Sequence, residues 1–312
     1  MFPLLSRYLI ENWTELLPGT PPPEKISFVQ LPGSRVSTFL VLSSKDGGGG
    51  RPQLVVKIPR TAEGEAYLRL EYENLERILR RLAPLTEFLP SIPKPVSLCA
   101  IGGKMVLMLE GLPGSRLHSF QSRGLRALGR ACRWLTELQV ATRVEVTLSA
   151  DDVEQAFLEP IRRFVKGSEL TPAARRYLGR IEERAGALAG AAFPFTLTHG
   201  DFSVSNILLD VPAGERDFEH AMVSALDWTK SLEAGLPVRD LFHLLTAYAK
   251  GLEAGYSSDR ITYSLSGPGE YARTVRTWLD DYCRGMGIPR WHQGLGIAME
   301  YIYGATDYPW GI

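Results

Sequence analysis

The chain has 312 residues, 45% of them hydrophobic, enough to bury a large core in one two-lobed unit or two modest domains. Its 35 basic and 35 acidic residues cancel to a formal charge of zero, which argues against a polyanion such as nucleic acid as the main partner. Three cysteines (Cys99, Cys132 and Cys283) stand far apart and outside any CxxC or Cys/His ligand spacing, so neither a disulfide framework nor a zinc site is expected and a reducing cytoplasm fits best.

From the N-terminus, Leu4 to Leu17 reads as a short helix, closed by the Pro-Gly-Thr-Pro-Pro-Pro run at 18–23 that cannot continue it. Arg7, Glu11 and Asn12 interrupt its apolar residues, so no signal peptide is read there. Nowhere do about eighteen apolar residues run without a charge, and no membrane span is expected. Ile26 to Leu31, Ser37 to Leu42 and Gln53 to Pro59 are rich in Val, Leu, Ile and Phe, with Gly, Ser and Pro between them; they predict an antiparallel sheet. Two glycine-bearing turns join these strands. Gly47 to Gly50 carries no directed side chain and reads as a flexible hairpin tip; the other turn, Leu31-Pro32-Gly33-Ser34-Arg35, has a single glycine. The chain has no GxxxxGK[ST], which disfavours a P-loop kinase.

Lys57 is a charge inside the otherwise apolar run Leu54-Val55-Val56-Lys57-Ile58. In the helix that follows, Leu68, Tyr72, Leu75, Leu79 and Leu82 recur at the 3.6-residue period. At about 100° per residue Glu71 falls within that buried stripe and Glu73 on the opposite face. A carboxylate facing a core needs a partner, because an unpaired buried charge is costly. Lys57 is the natural partner for Glu71, and Glu73 is the alternative.

Beyond Pro90-Ser91-Ile92-Pro93-Lys94-Pro95, expected to be extended, come strand-like runs at Val96 to Ala100 and Lys104 to Leu109, the second ending in Glu110-Gly111-Leu112-Pro113-Gly114. The pattern then turns helical. Leu125, Leu128, Cys132, Leu135 and Leu138 mark one amphipathic helix, and Phe157-Ile161-Phe164 and Tyr177-Ile181-Leu188 mark two more. Further on, Asp240 to Leu245 reads as a helix, Tyr271-Val275-Trp278-Tyr282 share a helical face, and aromatics cluster from Met299 to Trp310. Asp280, Asp281, Glu300 and Asp307 near the end either face solvent, the commoner fate of charge, or recognise a cationic acceptor.

The chemistry concentrates in His199-Gly200-Asp201-Phe202-Ser203-Val204-Ser205-Asn206 and in Leu226-Asp227-Trp228. Phosphoryl transfer needs an acceptor hydroxyl held in line and phosphate charge neutralised by metal ions. Asp201, in a turn-forming context, suits the proton acceptor, and Asn206 follows at the Asp-to-Asn interval of a kinase catalytic loop. The apolar runs Ile207-Leu208-Leu209 and Val223-Ser224-Ala225-Leu226 predict a hairpin that returns Asp227 toward Asn206, a pair of hard oxygen donors for Mg²⁺.

HGDxxxxN, the later apolar-Asp-Trp, and Gly235-x-Pro237-x-x-Asp240-Leu241 together resemble the signature of the aminoglycoside phosphotransferase and choline kinase family, closely over Thr198 to Leu245. The resemblance implies an α/β, protein-kinase-like two-lobed fold. Residues 1–110 would form an N-lobe with a five-stranded antiparallel sheet and one helix, and residues 111–312 a larger, mostly helical C-lobe. It implies ATP as donor, Mg²⁺ as cofactor and a small-molecule hydroxyl as acceptor. Lys57 would contact the α- and β-phosphates, held by Glu71; Asp201 would be the base; Asn206 and Asp227 would hold metal. Ser34 would touch phosphate, the backbone of Glu110 and Leu112 would read the adenine edge, and His199 and Asp240 would support the loop. Where the family often has a histidine after Leu-x-x-Leu, this chain has Gln139, a departure expected to affect packing only. His118, His220, His243 and His292 are scattered and expected in packing roles. HGD and Asp-Trp in place of HRD and DFG, and the lack of an APE-like element, disfavour a protein kinase. A nucleotide-binding scaffold without turnover is the competing reading of another class.

Overall fold

A computed structural model of the protein describes residues 2–33, 35–43, 51–215, 218–252 and 264–306. The chain folds as two compact units. The first comprises Met1–Arg116, Ile207–Arg216 and His220–Thr229; the second comprises Leu117–Asn206, Asp217–Glu219 and Lys230–Ile312.

The first unit is built on a five-stranded antiparallel sheet. Its strands are β1 (Ile26–Leu31), β2 (Val36–Ser43), β3 (Leu54–Pro59), β4 (Pro95–Ile101) and β5 (Lys104–Glu110), in the order β1-β2-β3-β5-β4. Alternation of side chains along β3 sends Leu54, Val56 and Ile58 to one face and Lys57 to the other. On the apolar face they meet Phe39, Val41, Val106 and Met108 and are covered by Leu5, Leu9, Trp13 and Leu16. These last four come from α1 (Phe2–Glu11) and α2 (Trp13–Leu16), so the single helix expected over Leu4 to Leu17 is broken at Asn12. The Asn12 amide donates to the Tyr8 carbonyl at 2.8 Å, a local bond of the kind by which Asn competes with a continuing helix.

The long helix α3 (Ala62–Leu82) follows β3 directly. Thr61 caps it, its hydroxyl accepting from the Gly64 amide at 3.1 Å. Its buried face holds Leu68, Glu71, Asn74, Leu75, Ile78 and Leu82, so the stripe lies slightly off the expected one: Tyr72 and Leu79 are only half-buried and Glu73 is exposed. The stretch expected to be extended from Pro90 starts instead inside a 3₁₀ turn at Leu89–Ser91. A second, three-stranded sheet completes this unit, with β9 (Ile207–Asp210) between β6 (Ser115–Arg116) and β10 (Met222–Ala225). The β9–β10 register pairs Ile207 with Ala225, the hairpin expected from the two apolar runs.

The second unit packs helices around a sheet that the periodicity did not reveal. Its strand β8 (Ala192–Thr198) lies between β7 (Val144–Thr147) and β11 (Leu232–Gly235). Phe193 to Thr198 are all buried, and Pro194 within the run reads against a strand interior. Gly235 is required by the pairing, since a Cβ there would lie 2.1 Å from the Thr198 hydroxyl. Helix α4 (Leu125–Ala141) follows the expected apolar positions. Helices α5 (Ala150–Val153), α6 (Glu159–Gly167) and α7 (Pro172–Gly186) bury Phe157, Ile161, Phe164, Leu178 and Ile181 with Phe193 and Phe195. Against the same core lie Leu295, Met299 and Ile302 of the last helix, α10 (Arg290–Thr306); α8 (Arg239–Leu252) and α9 (Glu270–Gly285) complete the unit. Among the described residues no helix is long and apolar enough to cross a membrane.

Candidate active site

In the first unit the Lys57 ammonium donates to both oxygens of Glu71, at 2.6 and 2.7 Å. The Glu71 carboxylate is fully buried and Lys57 is 13% exposed. Burial pulls the lysine pKa down, but the charges of Glu71 and Asp227 outweigh it and hold Lys57 above its ordinary value, fully protonated. Asp227 sits two residues after β10 with φ of 65°, in the left-handed region that few residues besides Gly, Asn and Asp enter. The Tyr67 hydroxyl, one turn before Glu71 on α3, donates to Asp227 Oδ1 at 2.5 Å, and the Thr229 hydroxyl donates to the same oxygen at 2.8 Å. Asn74 donates to the carbonyls of Trp228 and Thr229 at 2.9 and 2.8 Å, so α3 fixes the backbone that follows Asp227. Sequence reasoning missed Tyr67 and Asn74. The signal was present: Tyr67, Glu71 and Asn74 are spaced i, i+4, i+7, a polar row along a helix face otherwise committed to the core.

The second unit holds the loop. Gly200 has φ of 78°, and a Cβ there would lie 2.1 Å from the Lys230 carbonyl oxygen, so only glycine turns the chain between His199 and Asp201. Asp240, buried at the start of α8, accepts from the His199 amide at 2.7 Å and from the Gly200 amide at 2.9 Å. His199 Nδ1 accepts from the Asp201 amide at 3.2 Å. The Asp201 carbonyl in turn accepts from the Asn206 side-chain amide at 3.0 Å and from the Ser203 amide at 2.9 Å, which leaves Oδ1 as the acceptor oxygen of Asn206. Phe202, fully buried, stacks on Trp134 of α4 and anchors the loop from below.

Two side chains expected to be bystanders join this loop. His243, one turn into α8, places Nε2 3.3 Å from Asp201 Oδ1 and Nδ1 2.8 Å from Glu300 Oε1. Burial works to lower the imidazole, but its bonds to Asp201 and Glu300 prevail and raise it to about 9. The His243 hydrogen bond, then the charge of Lys230, holds Asp201 below the usual carboxylate range despite partial burial. Glu300 is no solvated surface charge: its side chain is 14% exposed and pairs also with the buried Arg239 at 3.1 Å. Asp280 and Asp281 do lie toward the surface, paired with Arg290 and Arg284. Gln139 also does more than pack. Fully buried on α4, it donates to Asp240 Oδ2 at 3.1 Å and accepts from the Tyr282 hydroxyl at 2.5 Å, so it braces the carboxylate that carries the loop.

The expected residues thus fall into two sets, Lys57, Glu71 and Asp227 within the first unit and Asp201, Asn206, His199 and Asp240 within the second. Glu110 ends β5, its amide donating to the Lys94 carbonyl at 2.8 Å, and Leu112 follows it, buried. Ser34, the Gly47 to Gly50 run, Asp307 and Trp310 lie outside the described residues. Among the described residues no three His, Cys, Asp or Glu side chains form a metal-holding group.

A sequence model of the phosphotransferase enzyme family matches residues 29–274, most of the chain and both sets of residues. The chain belongs to the phosphotransferase enzyme family. As a member of that family the protein is a phosphotransferase. A search of curated protein sequences finds no match to it. Similar solved structures include aminoglycoside phosphotransferase APH(3'')-Id from Streptomyces rimosus ATCC10970, at 15% identity over 99% of each chain with a TM-score of 0.47. That enzyme is also solved in complex with ADP and streptomycin. Another is the aminoglycoside-3'-phosphotransferase of type VIII, at 18% identity over 94% of this phosphotransferase and 98% of that chain, with a TM-score of 0.45.

Proposed function

We propose that the protein transfers the γ-phosphoryl group of ATP, in the presence of Mg²⁺, to a hydroxyl of a small molecule in the cytoplasm. The acceptor would be an amino sugar such as an aminoglycoside, another sugar, or an amino alcohol. The observation that carries the reading is the Asp201 loop. Its backbone is tied at His199 and Gly200 to the buried Asp240, while the Asp201 side chain remains 33% exposed and below its ordinary pKa. An ionised carboxylate on a braced loop is what accepting a proton from an attacking hydroxyl requires.

The remaining residues take the following roles in this reading. Lys57, kept protonated by Glu71 and Asp227, neutralises the α- and β-phosphates. Ser34 touches phosphate, and the backbone at Glu110 and Leu112 reads the adenine. Asn206, its amide nitrogen already engaged, and Asp227 offer the hard oxygens that suit Mg²⁺, an ion that keeps several waters and takes few protein ligands. When bound, Mg²⁺ neutralises charge building on the phosphates. Asp201 takes the hydroxyl proton as the new O–P bond forms and ADP leaves. His199 and Asp240 hold the loop for this step.

The test is ATP consumption with Mg²⁺ against a panel of aminoglycosides, sugars and amino alcohols, with Asp201→Asn as control. One acceptor that accelerates turnover, with the control inactive, supports the reading. Turnover of the control at the wild-type rate removes Asp201 as the base.

A further inference from the structure

Among the described residues, the His243 imidazole meets the Asp201 carboxylate although neither the family motif nor the proposed roles account for it. It bridges two carboxylates, Glu300 Oε1 at Nδ1 and Asp201 Oδ1 at Nε2. The rest of its charged environment is settled. Arg239, on the same helix, is spent on Glu300 at 3.1 Å, and Asp240 is spent on the loop amides. Lys230 stands 3.9 Å from Asp201 Oδ2, more than half exposed and beyond hydrogen-bond reach. Glu300 comes from α10, 57 residues after His243, and Asp201 from the loop after β8, well before it in sequence, so this bridge exists only through the fold.

We propose that His243 is a positioning residue for the base, fixing Asp201 Oδ1 through a carboxylate–imidazole–carboxylate bridge anchored by Glu300 and leaving Oδ2 to take the acceptor's proton. The inference rests on the proposed function. With both ring nitrogens facing carboxylate oxygens, His243 donates on both sides and is unable to receive the proton itself; the raised imidazole pKa is consistent with that protonation state at neutral pH. What it supplies is orientation. A carboxylate free to rotate about its χ angles spends little time aimed at the hydroxyl, and a misplacement of about 1 Å lowers a rate about 100-fold. Glu300 gives α10 a mechanical connection to the reacting loop, and Arg239 keeps Glu300 from turning away.

The test uses the full chain and two readouts. In Mg²⁺-dependent ATP hydrolysis, where water stands in for the acceptor hydroxyl, His243→Leu should lower kcat about 100-fold with the KM for ATP unchanged, and His243→Gln, which keeps one donor toward Asp201, should recover part of the loss. Independently, the imidazole titration of His243 followed by NMR should lie near 9 in the wild type and fall by at least about one unit in Glu300→Gln, one unit being the removal of about 1.4 kcal/mol of favourable interaction. Wild-type kcat in His243→Leu beside an inactive Asp201→Asn would overturn the positioning role and leave the proposed function standing. An active Asp201→Asn would instead remove the base, and this inference with it. Should His243→Leu fail to fold, the titration decides: a His243 signal at its ordinary value in the folded wild type overturns the bridge.

Discussion

The two units each hold an ionic cluster, and the clusters differ in how far water reaches them. Lys57 and Glu71 are sealed, with Glu71 at zero exposure, whereas His243 and Asp201 are each about one-third exposed. A sealed pair has already given up its hydration, so its integrity is a matter of stability: remove one partner and the other is stranded. A half-open cluster can exchange a lost partner for water, so its damage is expected in chemistry more than in folding. In the proposed function the sealed pair would bind and neutralise phosphate, and the half-open cluster would hold the group that meets the reacting molecule.

Several substitutions would break or sharpen this contrast. Asp201→Asn should lower phosphoryl transfer by about 10²–10⁴-fold, with ATP affinity measured by calorimetry and the melting temperature little changed. Glu71→Ala should do the reverse, destabilising the fold by about 3–5 kcal/mol in a denaturant titration, since Lys57 would keep its charge in a site built for a carboxylate. If Glu71→Ala melted like the wild type, the sealed description of that pair would be wrong. Gly200→Ala should reduce stability by about 1–3 kcal/mol and activity more steeply, because the left-handed turn and the contact with the Lys230 carbonyl both resist a methyl group.

The smallest effects are those of pH on stability, and here two histidines oppose each other. His243, raised to about 9, contributes stability that is complete below its ordinary value of 6.5 and lost as pH rises to 9. His292, buried beside Phe193 and Trp291 with Nδ1 lacking a partner among the described residues, is pushed down to about 4. Its stability is complete above 6.5 and lost as pH falls toward 4, because the unfolded chain takes the proton first. Melting temperature against pH should therefore fall on both sides of neutrality. His243→Gln should flatten the alkaline side and His292→Phe the acid side.

Much of this was legible before any coordinates. The sheet strands before residue 110 and the β9–β10 hairpin follow from short apolar runs separated by turn residues, and the α3 face bearing Glu71 from the helical period. Strand β8 was hidden because Pro194 reads against a strand interior, and its partners β7 and β11 are only four residues each. Within the candidate site, spacing picks out residues that lie on one element, such as Asp201 with Asn206. It has no purchase on His243 meeting Glu300 across 57 positions, or on Gln139 reaching Asp240 across 101.

By itself the sequence determined the family, the short-range chemistry of the Asp201 loop and the faces of the helices that carry charge inward. Those are properties of neighbouring residues, set by local geometry and by the cost of burying an unpaired charge. Only the tertiary structure decided which distant groups answer those charges: Tyr67 at Asp227, Gln139 at Asp240, and His243 with Glu300 at Asp201. A long-range pair is fixed by the packing of whole helices and strands against one another, and that packing has no signature in the spacing of either partner alone.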